Sequence, residues 1–236
     1  IAGALISVAK NALFIGDTKQ IEPIFTLPTA IDLANAKKHA VCKDNHDYDA
    51  LKIKGILCSG DPANSHSYGN LVLLGQSCSK YKLKENKEPG MMLKEHRRCQ
   101  REIISFCNEL CYNGQLIPLT QEKTNCFPKM GYAHIRGIEK KIGTSRKNKQ
   151  EAQVIAAWLQ KNKAIILKQY QKETLSDCVG IITPFASQAL CIRHSLNDCN
   201  ISLDKVGTVH ALQGAEKPII IFSPAYASSS TSTKLF

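Results

Sequence analysis

Apolar and polar residues follow each other in blocks whose period changes along the chain, and the periods predict the elements. Residues 2 to 9 have the apolar content of a helix end, and Ala12-Leu13-Phe14-Ile15 is a short continuous apolar run closed by Gly16-Asp17. A run of that length with a glycine turn behind it predicts a strand buried on both faces, as in a parallel sheet. From about residue 31 to 90 the pattern degrades into an Ala/Lys-rich stretch, then Gly, Ser, Asn and charge with no sustained period, which predicts an insertion or irregular subdomain. Order returns at Met91. Ile103, Phe106, Cys107 and Leu110 stand at i, i+3, i+4 and i+7, the apolar stripe of a helix over 100–112 that Asn113-Gly114 closes. A second helix is predicted from Gln150, with Ala152, Ile155, Ala156 and Leu159 on one face. Val179-Gly180-Ile181-Ile182-Thr183 predicts a buried strand that Pro184 ends, and residues 186–197 the helix after it.

Lys205 to His210 and Pro218 to Phe222 supply two further strands, so the C-terminal half alternates strand and helix. That alternation predicts an α/β fold with a mainly parallel sheet and helices on both faces, whose sites lie at the carboxyl ends of the strands. Gly16-Asp17, Thr183-Pro184 and His210 fall at such predicted ends. The Ser/Thr run 228 to 233 reads as a polar loop or frayed end.

Charge adds a partner class. With 31 Lys+Arg against 20 Asp+Glu in 236 residues, the net charge is +11 and favours a polyanion, nucleic acid first. Residues 77 to 101 and 136 to 149 hold the densest basic clusters, either strand-facing or solvated surface. No apolar run approaches the roughly 18 residues of a membrane span, so no membrane partner is expected. The ten cysteines contain no C-x-x-C pair, which removes the common zinc and thioredoxin patterns. A weak remnant, Cys42, His46, Cys58 and His66, has the composition of a Cys2His2 site. Cys107 and Cys111 read as packed core thiols. Without a disulfide framework a reducing compartment is expected, the cytoplasm or, in a eukaryote, the nucleus.

Three segments carry candidate chemistry. Gly16-Asp17-Thr18-Lys19-Gln20-Ile21-Glu22-Pro23 places an exposed Gln amide, both donor and acceptor, after a tight turn. It is equipped to sense a phosphate oxygen or orient a water, and it also has the composition of an ordinary polar loop. Arg97-Arg98 precedes the 100–112 helix. Adjacent guanidiniums pair with carboxylates on a solvated face or clamp a phosphoryl group, whose oxygens match their planar fork. Thr208-Val209-His210-Ala211-Leu212-Gln213-Gly214-Ala215-Glu216, before the apolar run 219–222, sets hydrogen-bonding side chains at the rim of the sheet.

In this order the segments resemble superfamily 1 helicases, especially the branch of the nonsense-mediated-decay RNA helicase and related replication helicases. Residues 16–23 are similar to the third motif, G-D-x-x-Q-x-x-P. Leu93, Arg98, Phe106, Tyr112, Gly114 and Leu116 fit the arginine motif without a gap. Residues 179–188 are similar to I-T-P-Y-x-x-Q, and 208–216 to the fifth motif, T-V-x-x-x-Q-G-x-E. The resemblance implies ATP hydrolysis between two RecA-like lobes, coupled to movement on single-stranded DNA or RNA. It assigns Gln20 to the γ-phosphate, with Gly16 and Asp17 in the same loop. Arg98 becomes the transition-state clamp and Arg97 stands where an aromatic stacks on the base. Gly214 and Glu216 go to the nucleotide, and Thr183, Pro184, Thr208, His210 and Gln213 to the strand.

The resemblance also implies a fragment. Residues 1–30 would end the first lobe, 31–90 would be an insertion, and 91–236 a second lobe cut before its last motif. The G-x-x-x-x-G-K-[ST] loop and the D-E pair for Mg2+ would then lie outside this chain, in a first lobe joined in cis. Activity of the fragment alone is not expected. A non-hydrolysing nucleic-acid-binding module with a degenerate helicase lobe is the alternative, and a zinc-stabilised domain over 39–66 a third reading.

Overall fold

Local polar contacts, more than periodicity, build the N-terminal elements. The computed structural model describes residues 8–20, 27–53, 59–61, 66–68, 70–81, 89–122 and 124–227. They fall into two units, Ile1–Arg97 with Cys107–Leu119, and Arg98–Phe106 with Thr120–Phe236. In the first unit, helices α1 (Thr29–Lys38) and α2 (Asn45–Ile53) close a small core of Ala36, Cys42 and Tyr48. The Tyr48 hydroxyl donates to Asp32 at 2.7 Å, which satisfies a phenol that is only 2% exposed. Strands β1 (Ser59–Asp61) and β2 (His66–Tyr68) pair antiparallel. Helix α3 (Leu71–Cys78) starts where the Asn70 side chain accepts from the Leu73 amide at 2.9 Å. The 31–90 stretch is therefore more ordered, where described, than its irregular pattern predicts: Asp44 accepts from the Asp47 amide at 2.8 Å at the start of α2 and Asn70 caps α3, while α1, without a side-chain cap, is held by the Tyr48–Asp32 bond.

Residues 12–15 do not form the predicted strand. Leu13 and Ile15 are exposed, and only Phe14 packs, its ring lying where a Cβ on Gly75 of α3 would stand 2.6 Å away. A strand buried on both faces needs a ladder partner on each side, and none of the described residues pairs with 12–15. Of the helix end read over 2–9, residues 8 and 9 are turn and irregular backbone instead of helix, and the rest lies outside the described residues.

Strand β3 (Glu95–His96) runs parallel to β4 (Ile117–Pro118), and helix α4 (Arg101–Tyr112) connects them. Its end is the predicted one: Asn113 and Gly114 both take positive φ, and the Gly114 amide reaches back to the Asn108 carbonyl at 3.0 Å. Its inward face is not. Phe106, Cys107 and Leu110 are exposed, while Ile104 is buried and Asn108, Cys111 and Tyr112 are half-buried, a rotation of about a third of a turn. Polar anchors outweigh the apolar stripe here. Asn108 donates to the Leu116 carbonyl at 3.0 Å and accepts from the Leu116 amide at 2.8 Å, and Tyr112 donates to a carboxylate in the 16–20 loop. Cys107 is accordingly an exposed thiol and not a core residue.

The second unit follows its periodicity closely. A hairpin of β5 (Glu139–Ile142) and β6 (Ser145–Asn148), turning at Gly143, leads into the long helix α5 (Lys149–Tyr170). After the short α6 (Leu175–Cys178) come β7 (Val179–Ile182), α7 (Ala186–Asp198), β8 (Val206–Gly207), α8 (Val209–Leu212) and β9 (Ile219–Phe222). The strands form a parallel sheet in the order β8-β7-β9. Ala152, Ile155 and Leu159 of α5 and Ile192 and Leu196 of α7 pack on Val179, Ile181 and Val206. Each buried Ile, Leu or Val side chain among them contributes about 1.5–3 kcal/mol. On the other face Leu212 of α8 lies 3.0 Å from where a Cβ on Gly180 would stand. This is the α/β arrangement of a partial RecA-like fold. The strand predicted over 205–210 stops at Gly207, where a Cβ would lie 2.7 Å from that of Ala211, so the chain turns into α8 and His210 is helical. Among the described residues no helix is long and apolar enough to cross a membrane.

A buried polar cluster joins these elements. The Gln188 amide, with no exposed surface, accepts from the Asn148 amide at 2.8 Å and donates to the Asn148 carbonyl at 3.3 Å and to Ser223 Oγ at 3.0 Å. Ser223 Oγ donates to Glu151 at 2.7 Å, and Asn148 caps α5 through the Glu151 amide at 3.1 Å. Burial raises the Glu151 carboxyl above its ordinary range despite the Ser223 hydroxyl and the Ala225 amide that donate to it. Removing the hub leaves the buried Asn148 N–H without its acceptor and the Asn148 carbonyl and Ser223 Oγ without their donor. Gln188→Ala is expected to cost about 2–3 kcal/mol in urea unfolding, against under about 0.5 kcal/mol for the exposed Lys163→Ala. A raised folded pKa makes the Glu151 contribution full below the unfolded value and lost as pH rises through the folded one. Glu151→Gln, which cannot ionise, should therefore gain melting temperature relative to the parent between pH 4 and 7; an offset independent of pH would contradict this.

Candidate functional site

The 16–20 loop is fixed from below by its neighbours and from within by one carboxylate. A Cβ on Gly16 would overlap Val72 Cγ2, one helical turn from the Gly75 that receives Phe14, so the loop rests on one face of α3. Asp17 organises the rest of the loop. Its Oδ1 accepts from the Lys19 amide at 2.9 Å, and its Oδ2 accepts from Gln20 Nε2 at 3.2 Å and from the Tyr112 hydroxyl at 2.5 Å. Burial, together with this bond to Asp17, pushes the Tyr112 phenol well above the ordinary tyrosine range, so it remains the donor. Gln20 itself is exposed. Ile21, Glu22 and Pro23 of the same motif lie outside the described residues.

In the second unit Arg98 meets Glu216, its Nη2 2.6 Å from Oε1. The side chains are 67% and 63% exposed, so the pair is worth about 0–1 kcal/mol and is readily exchanged for another anion. Arg97 turns instead to Glu95 at 2.7 Å. Gly214, on the same loop as Glu216, takes φ +76 with nothing near a would-be Cβ, so glycine is required there by conformation alone. The far end of this loop is tied down by Lys217, 3.2 Å from Asp204. The Ser176 hydroxyl, with Lys217 adding to it, holds the Asp204 carboxyl below its usual range.

The residues assigned to the strand divide by exposure. His210 and Gln213 are exposed, Pro184 and Thr208 half-buried, and Thr183 fully buried, its Oγ1 accepting from the Phe185 amide at 3.4 Å. The basic hairpin of the same unit presents Lys140 and Lys141 to solvent, whereas Arg146 is engaged with Glu139 and lies 5.2 Å from the Tyr226 ring centroid. Of the zinc remnant, Cys42 is core, its thiol raised by burial, and Cys58 and the His66 side chain lie outside the described residues. Among the described residues no cluster of three His, Cys, Asp or Glu is placed to hold a metal. Sequence spacing missed the Tyr112–Asp17 bond, whose partners are 95 residues apart. It also missed the Glu151–Ser223 contact, for which only the polar break at the end of the 219–222 run gives a signal.

Residues 74–234, more than half of the chain, match the AAA domain family. An uncharacterized ATP-dependent helicase of Caenorhabditis elegans is 26% identical over 153 residues, covering 59% of this chain and 10% of that protein. The probable RNA helicase armi of Drosophila melanogaster is 25% identical over 153 residues, covering 56% of this chain and 12% of that protein. The matched part is thus about a tenth of the length of these curated relatives. An exposed pair carries little of the fold, so Arg98→Ala and Glu216→Ala should each change the unfolding free energy by less than about 1 kcal/mol, measured by chemical denaturation.

Proposed function

This chain belongs to the AAA domain family and is superfamily 1 helicase-like, and from that premise we propose that it is part of an ATP-dependent helicase that moves along single-stranded nucleic acid. The observation that carries the reading is the Arg98–Glu216 pair. Two residues far apart in the sequence, which the motif pattern assigns to the same nucleotide, meet at 2.6 Å in an exposed and weakly held contact. In this reading Arg98 exchanges Glu216 for the γ-phosphate and stabilises the charge that develops there, while Gln20 positions the attacking water. Gly16 and Asp17 shape the Gln20 loop, Gly214 and Glu216 face the nucleotide, and Arg97 offers its planar guanidinium to the base.

His210, Gln213, Pro184 and Thr208 form the strand-facing surface, with Thr183 shaping the turn from beneath. The exposed lysines of the β5–β6 hairpin add phosphate contacts, which makes binding salt-sensitive. RNA is the strand to test first, since one relative is named a probable RNA helicase. The domain reading rests on the same premise, with 1–30 closing a first lobe, 31–90 inserted and 91–236 in the second lobe. The remaining phosphate-binding loop and the Mg2+ ligands belong, in this proposal, to a longer polypeptide. In that full-length protein Arg98→Ala is expected to lower ATP turnover about a thousandfold or more while nucleotide binding stays measurable by fluorescence titration. Undiminished turnover would rule out the clamp.

A further inference from the structure

We propose that Tyr112 is a positioning residue for Gln20, acting through Asp17, and this rests on the reading of Gln20 given above. A carboxylate only accepts hydrogen bonds, so Asp17 Oδ2 fixes which end of the Gln20 amide faces it: Nε2, at 3.2 Å. The amide is thereby locked against a flip. Its Oε1, with no hydrogen-bond partner among the described residues, is left to accept from a water, and its second N–H is left to donate to a phosphate oxygen. That division of roles holds only while Asp17 itself stays still. The Lys19 amide holds one carboxylate oxygen from within the loop, and the Tyr112 hydroxyl, 2.5 Å from the other, is the hold that comes from outside it.

Tyr112 is well placed to be rigid. It is the last residue of α4, on the half-buried face that the two Asn108 bonds to Leu116 orient, and the Asn113-Gly114 turn comes directly after it. The stiffness of a helix end is transmitted through one hydroxyl and one carboxylate to an exposed, otherwise flexible amide. A side chain that orients a water loses rate when its rotamer is released, and it does so without losing much affinity for the nucleotide.

The test is steady-state ATP turnover of the full-length protein carrying Tyr112→Phe, Gln20→Ala, or both. Tyr112→Phe keeps the ring and is expected to lower kcat about tenfold with the KM for ATP within about twofold of the parent. In the Gln20→Ala background the same change should alter kcat by less than about twofold, because the group it positions is gone. Equal losses in both backgrounds, or none in either, would overturn the role of Tyr112. If Gln20→Ala itself turns over ATP at the parental rate, the Gln20 reading fails and this inference falls with it. Should Tyr112→Phe unfold, Asp17→Asn interrupts the same relay from the loop side and is expected to show the same background-dependent loss.

Discussion

One buried amide fixes the carboxyl ends of the parallel strands. Gln188 sits in the first turn of α7 with no exposed surface, and its three hydrogen bonds reach the end of β6 and the residue after β9. Ser223, held there, also donates its backbone N–H to the Ile182 carbonyl at the end of β7. Such a group is costly to bury unpaired and inexpensive when every partner is in place, so it selects one relative arrangement of strand ends and helix starts. The aliphatic core of α5, α7 and β7 supplies the bulk of the stability of this unit but tolerates small shifts. The amide does not.

After β8 the chain crosses from the carboxyl ends of the strands to their amino ends, and that crossing too is positioned by polar contacts. The 213–217 loop behind α8 is tethered at Lys217 and turned at Gly214, which leaves Glu216 exposed and within reach of Arg98. In the other unit Asp17 plays for the 16–20 loop the part that Gln188 plays for the sheet, gathering donors from the loop and from α4. The contrast in burial matters. The structural hub is fully enclosed, whereas the groups proposed to meet nucleotide are exposed and weakly paired, as exchange with a phosphate requires.

The second unit was legible because its signals agree with one another. The stripe of Ala152, Ile155 and Leu159, the apolar run ended by Pro184 and the helix after it all reappear within a residue or two. Sequence reading failed where polar anchors or tertiary neighbours decide. The apolar stripe of α4 points outward because Asn108 and Tyr112 hold the opposite side. Residues 12–15 find no ladder partner among the described residues, and β8 is cut short by the close approach of Gly207 and Ala211. Helices α1 to α3 lack a periodic signature; Asp44 and Asn70 cap α2 and α3, and α1 is held through the Tyr48–Asp32 bond. At the candidate site, motif spacing located Gln20, Arg98 and Glu216, but the bonds between residues so distant in sequence are set by the fold.

The most direct measurement is ATP hydrolysis by the full-length protein with and without single-stranded RNA, monitored across a salt titration. A strand-coupled motor predicts turnover that rises when the strand is added and loses that stimulation as salt displaces its phosphate contacts. Salt-sensitive strand binding with no ATP turnover at any strand concentration would contradict it, and would leave a nucleic-acid-binding module on a helicase-like fold.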